Sequence, residues 1–471
     1  MPNQPLQPLP ADQPVAVPHG HTGHDRFDVT PMAPLAARSR SMNDVVLFLW
    51  STMIMSTPFL MYAVEAFGLR WNPERIVMVF LMAAISVKVI CNPRTAFPTP
   101  VVFMVCAMML SLILNQLNQH LDRGLYKAGL LPAMQAYFVF FVTFMLCREH
   151  PSARLMFVKA MAVVGVWFLL FSVYSVYKLF ILHDVIADIP FRAFIPIKLA
   201  EASSHMEMIT RISRRASLPY STSPFLAFIA GLLGTFLIYC GAVRNSKRLT
   251  LLGIAQLVVV FLTFSRSGLF ASVFAMTILG CLAFYLRSDH RLRIHGLLTW
   301  LFISGVIMLV IIVGYQQLVP QEATRLTAKV ESSTNYGHIL IRQMALNHFI
   351  DSPWHIQLFG EGLGNFRRVL YAVHGHMTYS TMLIERGVIG LVLAFSFLFV
   401  MPIVFMFRLV NRCGNATVDV LGLTLTVQIG VGLLFYEYHN ITNLWFFLGY
   451  LASLAWPLEN TVDERVCFGL E

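Results

Sequence analysis

Long apolar stretches recur from Val45 to Trp456, and they leave this chain few ways to fold. Of its 471 residues 57% are hydrophobic and only 12% are charged, about half the charge that a soluble domain carries, roughly 25%. A backbone in lipid must satisfy its own polar groups, so only helices and closed barrels can span. Runs approaching about 20 apolar residues select helices. The candidates are Val45–Ala63, Ile76–Val89, Val101–Leu114, Leu130–Cys147, Leu155–Leu182, Tyr220–Ala242, Thr250–Thr263, Leu269–Leu286, Leu297–Tyr315, Val388–Phe407, Val420–Phe435 and Leu444–Trp456. The expected fold is an all-α polytopic membrane protein of about twelve transmembrane helices.

Lysine and arginine orient the spans, because short cytoplasmic loops are enriched in both. With the N-terminus inside, the inside loops hold Arg94, Arg148 and Arg154, then Arg244, Lys247 and Arg248, then Arg287, Arg291 and Arg293, then Arg408 and Arg412. The net charge of +10 is thereby a topology signal, and nucleic acid is not an expected partner. Residues 1–40 are rich in proline, with His19, His21 and His24. They are expected to be a disordered cytoplasmic tail, with the first apolar run an uncleaved span. Spans one to nine fall in 41–316, with an outer loop at about 183–219. A large outer loop with helices follows at 317–375, then spans ten to twelve in 376–457 and a cytoplasmic tail at 458–471. The seven cysteines avoid the long loops and form no Cys-x-x-Cys pair. No disulfide framework, metal or cofactor is expected.

The outer loops carry cations that topology does not demand. Arg192, Lys198, Arg211, Arg214 and Arg215 lie in the first, and Arg325, Lys329, Arg342, Arg367 and Arg368 in the second. Solvated pairs with nearby acids explain single residues; as a group they predict an anion-binding face. Arg266, in Leu262-Thr-Phe-Ser-Arg-Ser-Gly268, sits between two spans at their outer ends. It could snorkel, but a cation at that depth marks a functional-site candidate. Its small neighbours would let a bulky anion approach the backbone.

The second outer loop contains a helical pattern, Asn335-Tyr-Gly-His-Ile-Leu-Ile-Arg342 continuing to Phe349. His338 and Arg342 share a face at i, i+4. Leu346 and Phe349 continue near it, so the helix is placed against the membrane. Arg342 offers phosphate a planar fork, although an amphipathic helix with a wet polar side has the same pattern. Phe359-Gly-Glu-Gly-Leu-Gly364 lacks the βαβ context of a nucleotide loop and reads as a flexible turn positioning the outer loop. His376 stands at the start of the tenth span, with Gly387 and Gly390 beyond it as small residues that pin a helix by close packing. An imidazole there suits a general base.

At these residues the chain resembles the O-antigen ligase and polymerase superfamily. The ligase pattern is His, then a polar residue, nine residues and Gly-x-x-Gly. His376, Gly387 and Gly390 match it, with Met377 in the polar place. Ser265-Arg266 matches the family's Ser/Thr-Arg motif, and Ser352-Pro353 with Gly360 to Phe366 is similar as well. His338 stands where the family usually has an arginine, with Arg342 one turn later.

The resemblance implies an architecture like that of the GT-C glycosyltransferases, without a metal. It also implies transfer of a glycan, with inversion, from undecaprenyl diphosphate to a lipid A-core sugar. The site would lie on the periplasmic face of the inner membrane, with both termini cytoplasmic. His376 would be the base, and Arg266 with His338 or Arg342 would hold the diphosphate. Arg215, Arg214 and Arg192 are further diphosphate-binding candidates. An O-antigen polymerase or a protein glycosylating ligase shares these features. A lipid-glycan flippase or transporter is the rival of another class, although such proteins tend to show internal repeats and mid-membrane acids.

Overall fold

The computed structural model describes residues 33–59, 62, 64–66, 69–91, 108–110, 112–114, 123–177, 223–263, 265–287, 340–370, 377–411, 413, 415–435 and 441–457. The chain separates into two units, Met1–Asn43 and Asp44–Glu471. In the first, residues 33–43 are helical and open α1, Ala33–Ser56. The helix therefore begins inside the segment expected to be a disordered tail. At its other end α1 stops short of the expected Ala63. Pro58 follows in a 3-10 turn, Thr57–Phe59, because proline has no N–H to continue the ladder.

The described residues are otherwise overwhelmingly helical. The exception among them is a short antiparallel ribbon, β1 (Val64–Ala66) and β2 (Leu69–Trp71), which pairs Glu65 with Arg70. The helices are α2 (Pro73–Cys91), α3 (Arg123–Glu149), α4 (Pro151–Val176), α5 (Ser223–Val243), α6 (Lys247–Leu262) and α7 (Arg266–Arg287). A compact arm follows: α8 (340–351), α9 (Trp354–Phe359) and α10 (Phe366–Leu370). The chain closes with α11 (Thr378–Asn411), α12 (Ala416–Phe435) and α13 (Thr442–Ala455).

Among the described residues, five stretches are long and apolar enough to cross a membrane: Leu130–Glu149, Pro151–Val176, Pro224–Val243, Thr378–Asn411 and Ala416–Phe435. Their surface is inverted relative to a soluble protein. Along α11, Val392, Phe399, Ile403, Phe407 and Val410 recur near helical spacing and are exposed, Ile403 by 67%. Polar residues such as Thr235, Gln256 and Gln428 are buried. An apolar stripe outside and polar side chains inside are what a hydrocarbon solvent selects, and the protein is membrane-embedded.

Local sequence sets the helix ends. Asn72 precedes Pro73, and its Oδ1 accepts from the Arg75 N–H at 2.8 Å. Asn415 Oδ1 accepts from the Thr417 and Val418 N–H groups at 3.0 and 3.2 Å. Both are N-caps that satisfy first-turn donors. Pro151 opens α4 directly after His150. The turn at 244–246 joins α5 to α6 through Asn245, at φ 50°, and Ser246. Such short turns force neighbouring helices antiparallel, so the starts of α5, α7, α11 and α13 share one end with the finish of α12.

The interior is aromatic. Phe157 stacks on Tyr450 at 4.4 Å, Phe140 on Phe397 at 4.8 Å, and Trp445 meets Tyr137 edge-on at 5.4 Å. Trp50 is fully buried and donates its indole N–H to Thr143 Oγ1 at 3.0 Å. At the opposite end from the starts of α7 and α11, Arg408 ties three helices together. Its guanidinium donates to Leu454 O at 2.9 Å and to Ala455 O, and pairs with the buried Asp419 at 3.4 Å.

Candidate functional site

The site is built at the end where α7 and α11 start and α12 finishes. Ser265 is the N-cap of α7: its carbonyl accepts from Leu269 N–H, and its Oγ accepts from Gly268 N–H at 3.5 Å. Arg266 is therefore the first residue of the helix. A helix start carries partial positive charge, which disfavours a cation and favours an anion. The expectation that Gly268 admits an anion is corrected. A Cβ there would lie 2.4 Å from Ala227 Cβ, so this glycine lets α7 cross α5 in close contact.

Contacts at the same level draw the neighbouring elements in. Phe270 packs edge-on against Phe435 at 5.6 Å. Gly432 admits the Phe228 ring, which a Cβ would meet at 2.2 Å. The Arg342 guanidinium, reaching from α8, donates to Leu434 O at 3.4 Å. A cation at the carbonyl end of α12 complements its dipole. Burial presses the guanidinium below its ordinary pKa, but an arginine starts so high that it stays charged at neutral pH. Tyr379, in the first turn of α11, donates its hydroxyl to Gly430 O at 3.3 Å.

The start of α11 is organised by Met377. Its carbonyl accepts from Thr381 N–H and Thr381 Oγ1, both at 3.2 Å, and from Ser380 Oγ at 3.0 Å. The methionine needs only its carbonyl for this, so these bonds place no demand on its side chain.

Gly387 corrects the reading of the Gly-x-x-Gly pair as a packing motif that pins one helix. Its φ of 66° and ψ of −173° are not helical, so α11 is a half-helix to Arg386 followed by the span from Val388. At the break, Ile384 O and Glu385 O accept from Glu361 N–H and Gly362 N–H at 2.8 and 3.0 Å. A Cβ on Gly387 would fall 2.3 Å from Leu358 O, and one on Gly360 (φ 80°) would fall 2.4 Å from Arg386 N. The glycine-rich turn is thus a docked structure, not a flexible one. Gly390 makes room for the stem of Arg386, whose Cβ a side chain there would meet at 2.3 Å.

The rest of the arm packs onto the half-helix. Ala345, Phe366, Leu370 and Ile384 form a small core with Ile341, Phe349 and Val369. Phe349 turns inward onto this small core, while Leu346 is 52% exposed. His348 Nε2 meets Glu361 Oε1 at 3.0 Å, joining α8 to the docked turn.

Of the expected site residues, Arg342 is placed in full and Arg266 by its backbone. His338, His376, Arg192, Arg214 and Arg215 lie outside the described residues. Two groups had not been anticipated. Arg386 is buried among the spans, donates to the Tyr137 hydroxyl and lies 5.7 Å from its ring. A charge inside an apolar run was the available signal. The His348–Glu361 pair had none, since no helical spacing links the two. Compared with models of known protein families and with curated proteins, the chain matches none.

Proposed function

We propose that the protein is an O-antigen ligase: it moves a glycan from undecaprenyl diphosphate to a sugar hydroxyl of lipid A-core. The reading carries with it about twelve spans, a GT-C-like arrangement, an inner-membrane location and a periplasmic site. The observation that supports it most is the convergence of α7, α8, α11 and α12. Arg266 opens α7 where the helix itself favours an anion. Arg342 lies over the end of α12, and His376 immediately precedes the first turn of α11.

In this mechanism His376 accepts the proton of the acceptor hydroxyl as its oxygen attacks the anomeric carbon. Attack opposite the leaving diphosphate inverts that centre. Negative charge grows on the departing phosphate, and Arg266 with Arg342 or His338 neutralises it by fixed donors. Arg192, Arg214 and Arg215 hold the remaining phosphate charge. Other superfamily members use the same donor chemistry with a second lipid-linked glycan or a protein as acceptor, so the acceptor decides among them.

The test is glycan transfer by purified protein to lipid A-core, to a second donor molecule and to a protein acceptor. Lipid A-core is expected to be the one used. His376→Ala should lose at least about 100-fold in rate, the scale of a missing general base, and Arg266→Glu should lose donor use while inserting normally. Wild-type rates in His376→Ala would remove the base assignment. Translocation of the lipid without transfer would favour a flippase.

A further inference from the structure

The end of the bundle away from the candidate site gathers cations that the proposed reaction does not use. Gln135 Nε2 donates to Thr442 Oγ1 at 3.4 Å, and a Cβ on Gly449 would meet Phe140 O at 2.6 Å. α3 and α13 therefore run side by side in one direction, and α3 finishes at the far end. There the segment Arg148-Glu-His-Pro-Ser-Ala-Arg154 leads into α4, and Lys88 stands in the last turn of α2. Glu149 is the single acid of that segment.

Cations in a short loop orient spans, and a cation with that task alone extends its head into water. These are drawn inward. Arg154 is 1% exposed, and its Nε donates to Cys147 O at 2.7 Å, which lays the guanidinium against the end of α3. Arg148 is half-buried and reaches back over the Phe144 ring, 5.7 Å from its centroid. Its Nε and the Nε2 of His150 are buried and make no hydrogen bond. Burial holds the His150 imidazole below its ordinary pKa, and the Lys88 ammonium pushes the same way, against a weaker opposing pull from Glu149. Pro151 opens α4 without a side-chain cap from His150, so the helix start adds partial positive charge. A charge withdrawn from water needs a counter-charge. At this same end Arg408 has one in the buried Asp419. Among the described residues Lys88, Arg148 and His150 enter no ion pair.

The ligand that fits is an anion with an apolar body. Val87 and Ile90 flank Lys88 on α2 and are 44% and 78% exposed, so hydrocarbon lies alongside the cations. A free anion gains nothing from that neighbourhood. A phospholipid lays its acyl chains along α2 and brings its phosphate to the last turn. We propose that Lys88, Arg148, His150 and Arg154 form a site for the headgroup of an anionic phospholipid, of the phosphatidylglycerol class, in the leaflet at this end. Basic pockets between spans select such headgroups in this way. The site does not depend on the reading of the opposite end as a glycan transferase.

The test uses the full-length protein in detergent, with binding read by native mass spectrometry for phosphatidylglycerol and for phosphatidylethanolamine, whose ammonium cancels its phosphate. Phosphatidylglycerol should bind wild type more tightly. Lys88→Gln and Arg148→Gln should each weaken it about fivefold, the scale of one cation at a membrane surface, and leave phosphatidylethanolamine unchanged. Lys159→Gln removes an equal charge from an exposed position of α4 outside the cluster and should leave both lipids as in wild type. Lipid-free thermal melts matching wild type check that the variants fold. A second arm needs no variant: phosphatidylglycerol with a diazirine in its headgroup should label wild-type peptides covering 84–91 and 144–156, and excess inorganic phosphate should not displace it. Equal affinity for the two lipids, unchanged binding in both cluster variants, an equal loss in Lys159→Gln, or labelling elsewhere would overturn the proposal. Displacement by inorganic phosphate would assign the cluster to a free anion and overturn the lipid.

Discussion

Gly387→Ala tests whether the arm and the half-helix are one structure. The position has φ 66° and ψ −173°, a region that residues with a Cβ enter at a cost of roughly 1–3 kcal/mol. The new Cβ would also sit 2.3 Å from Leu358 O and 2.6 Å from Gly360 N, so the turn must retreat. Retreat breaks the bonds from Glu361 N–H to Ile384 O and from Gly362 N–H to Glu385 O, each worth about 1 kcal/mol net. The docking should therefore weaken by about 3–5 kcal/mol, which raises the open population by roughly 10² to 10⁴. Hydrogen exchange read by mass spectrometry on peptides covering 358–370 and 380–390 measures it. Exchange there should accelerate by that factor, while α12 and α13 keep their protection. Unchanged protection at Glu361 and Gly362 would mean that α11 runs through 387 unbroken and that the arm is held by something else.

Two stability predictions concern the packing on either side. Arg408→Ala leaves the buried Asp419 carboxylate without its cation and frees two helix-end carbonyls. It should cost about 3 kcal/mol, seen as lower thermal stability in detergent and largely restored by adding Asp419→Asn; a wild-type melt for the single variant would refute the lock. Gly268→Val places atoms where Ala227 Cβ already stands and should cost roughly 1–3 kcal/mol by overpacking. An unchanged melt would show that α5 and α7 do not touch at this level.

The helices were legible because hydropathy acts over many residues at once. The run Leu130–Cys147 became part of α3, and Val420–Phe435 nearly all of α12. The caps at Asn72 and Asn415 refine the ends, and Pro58 explains why α1 stops early. The break at Gly387 was not legible. A glycine pair three apart reads the same whether it admits a neighbouring helix or a left-handed residue. Only the docked turn at Gly360–Gly362 tells them apart, and it lies in a different stretch of the chain. For the same reason Gly268 was assigned to an anion when Ala227 had the prior claim. At the site, Arg266 and Arg342 stood out as cations in unlikely places. What Arg342 touches depends on α12, a helix whose apolar sequence announces no partner.

The break and the arm explain one another. A helix interrupted among apolar spans exposes carbonyls that lipid cannot satisfy, so such breaks persist only where protein supplies the donors. Here the donors are two N–H groups of the glycine-rich turn. That turn is held in place by Asn365, whose Nδ2 donates to Glu361 O at 2.8 Å, and by His348 on Glu361. The same α8 that carries His348 carries Arg342, and the same half-helix that receives the turn begins just after His376. Any displacement of the turn must then move Arg342 and the start of α11 together. In the proposed reaction these are the groups facing the leaving phosphate and the acceptor hydroxyl. A broken helix clamped by the arm thus couples the position of Arg342 to the start of α11 more firmly than a loop on a continuous span would.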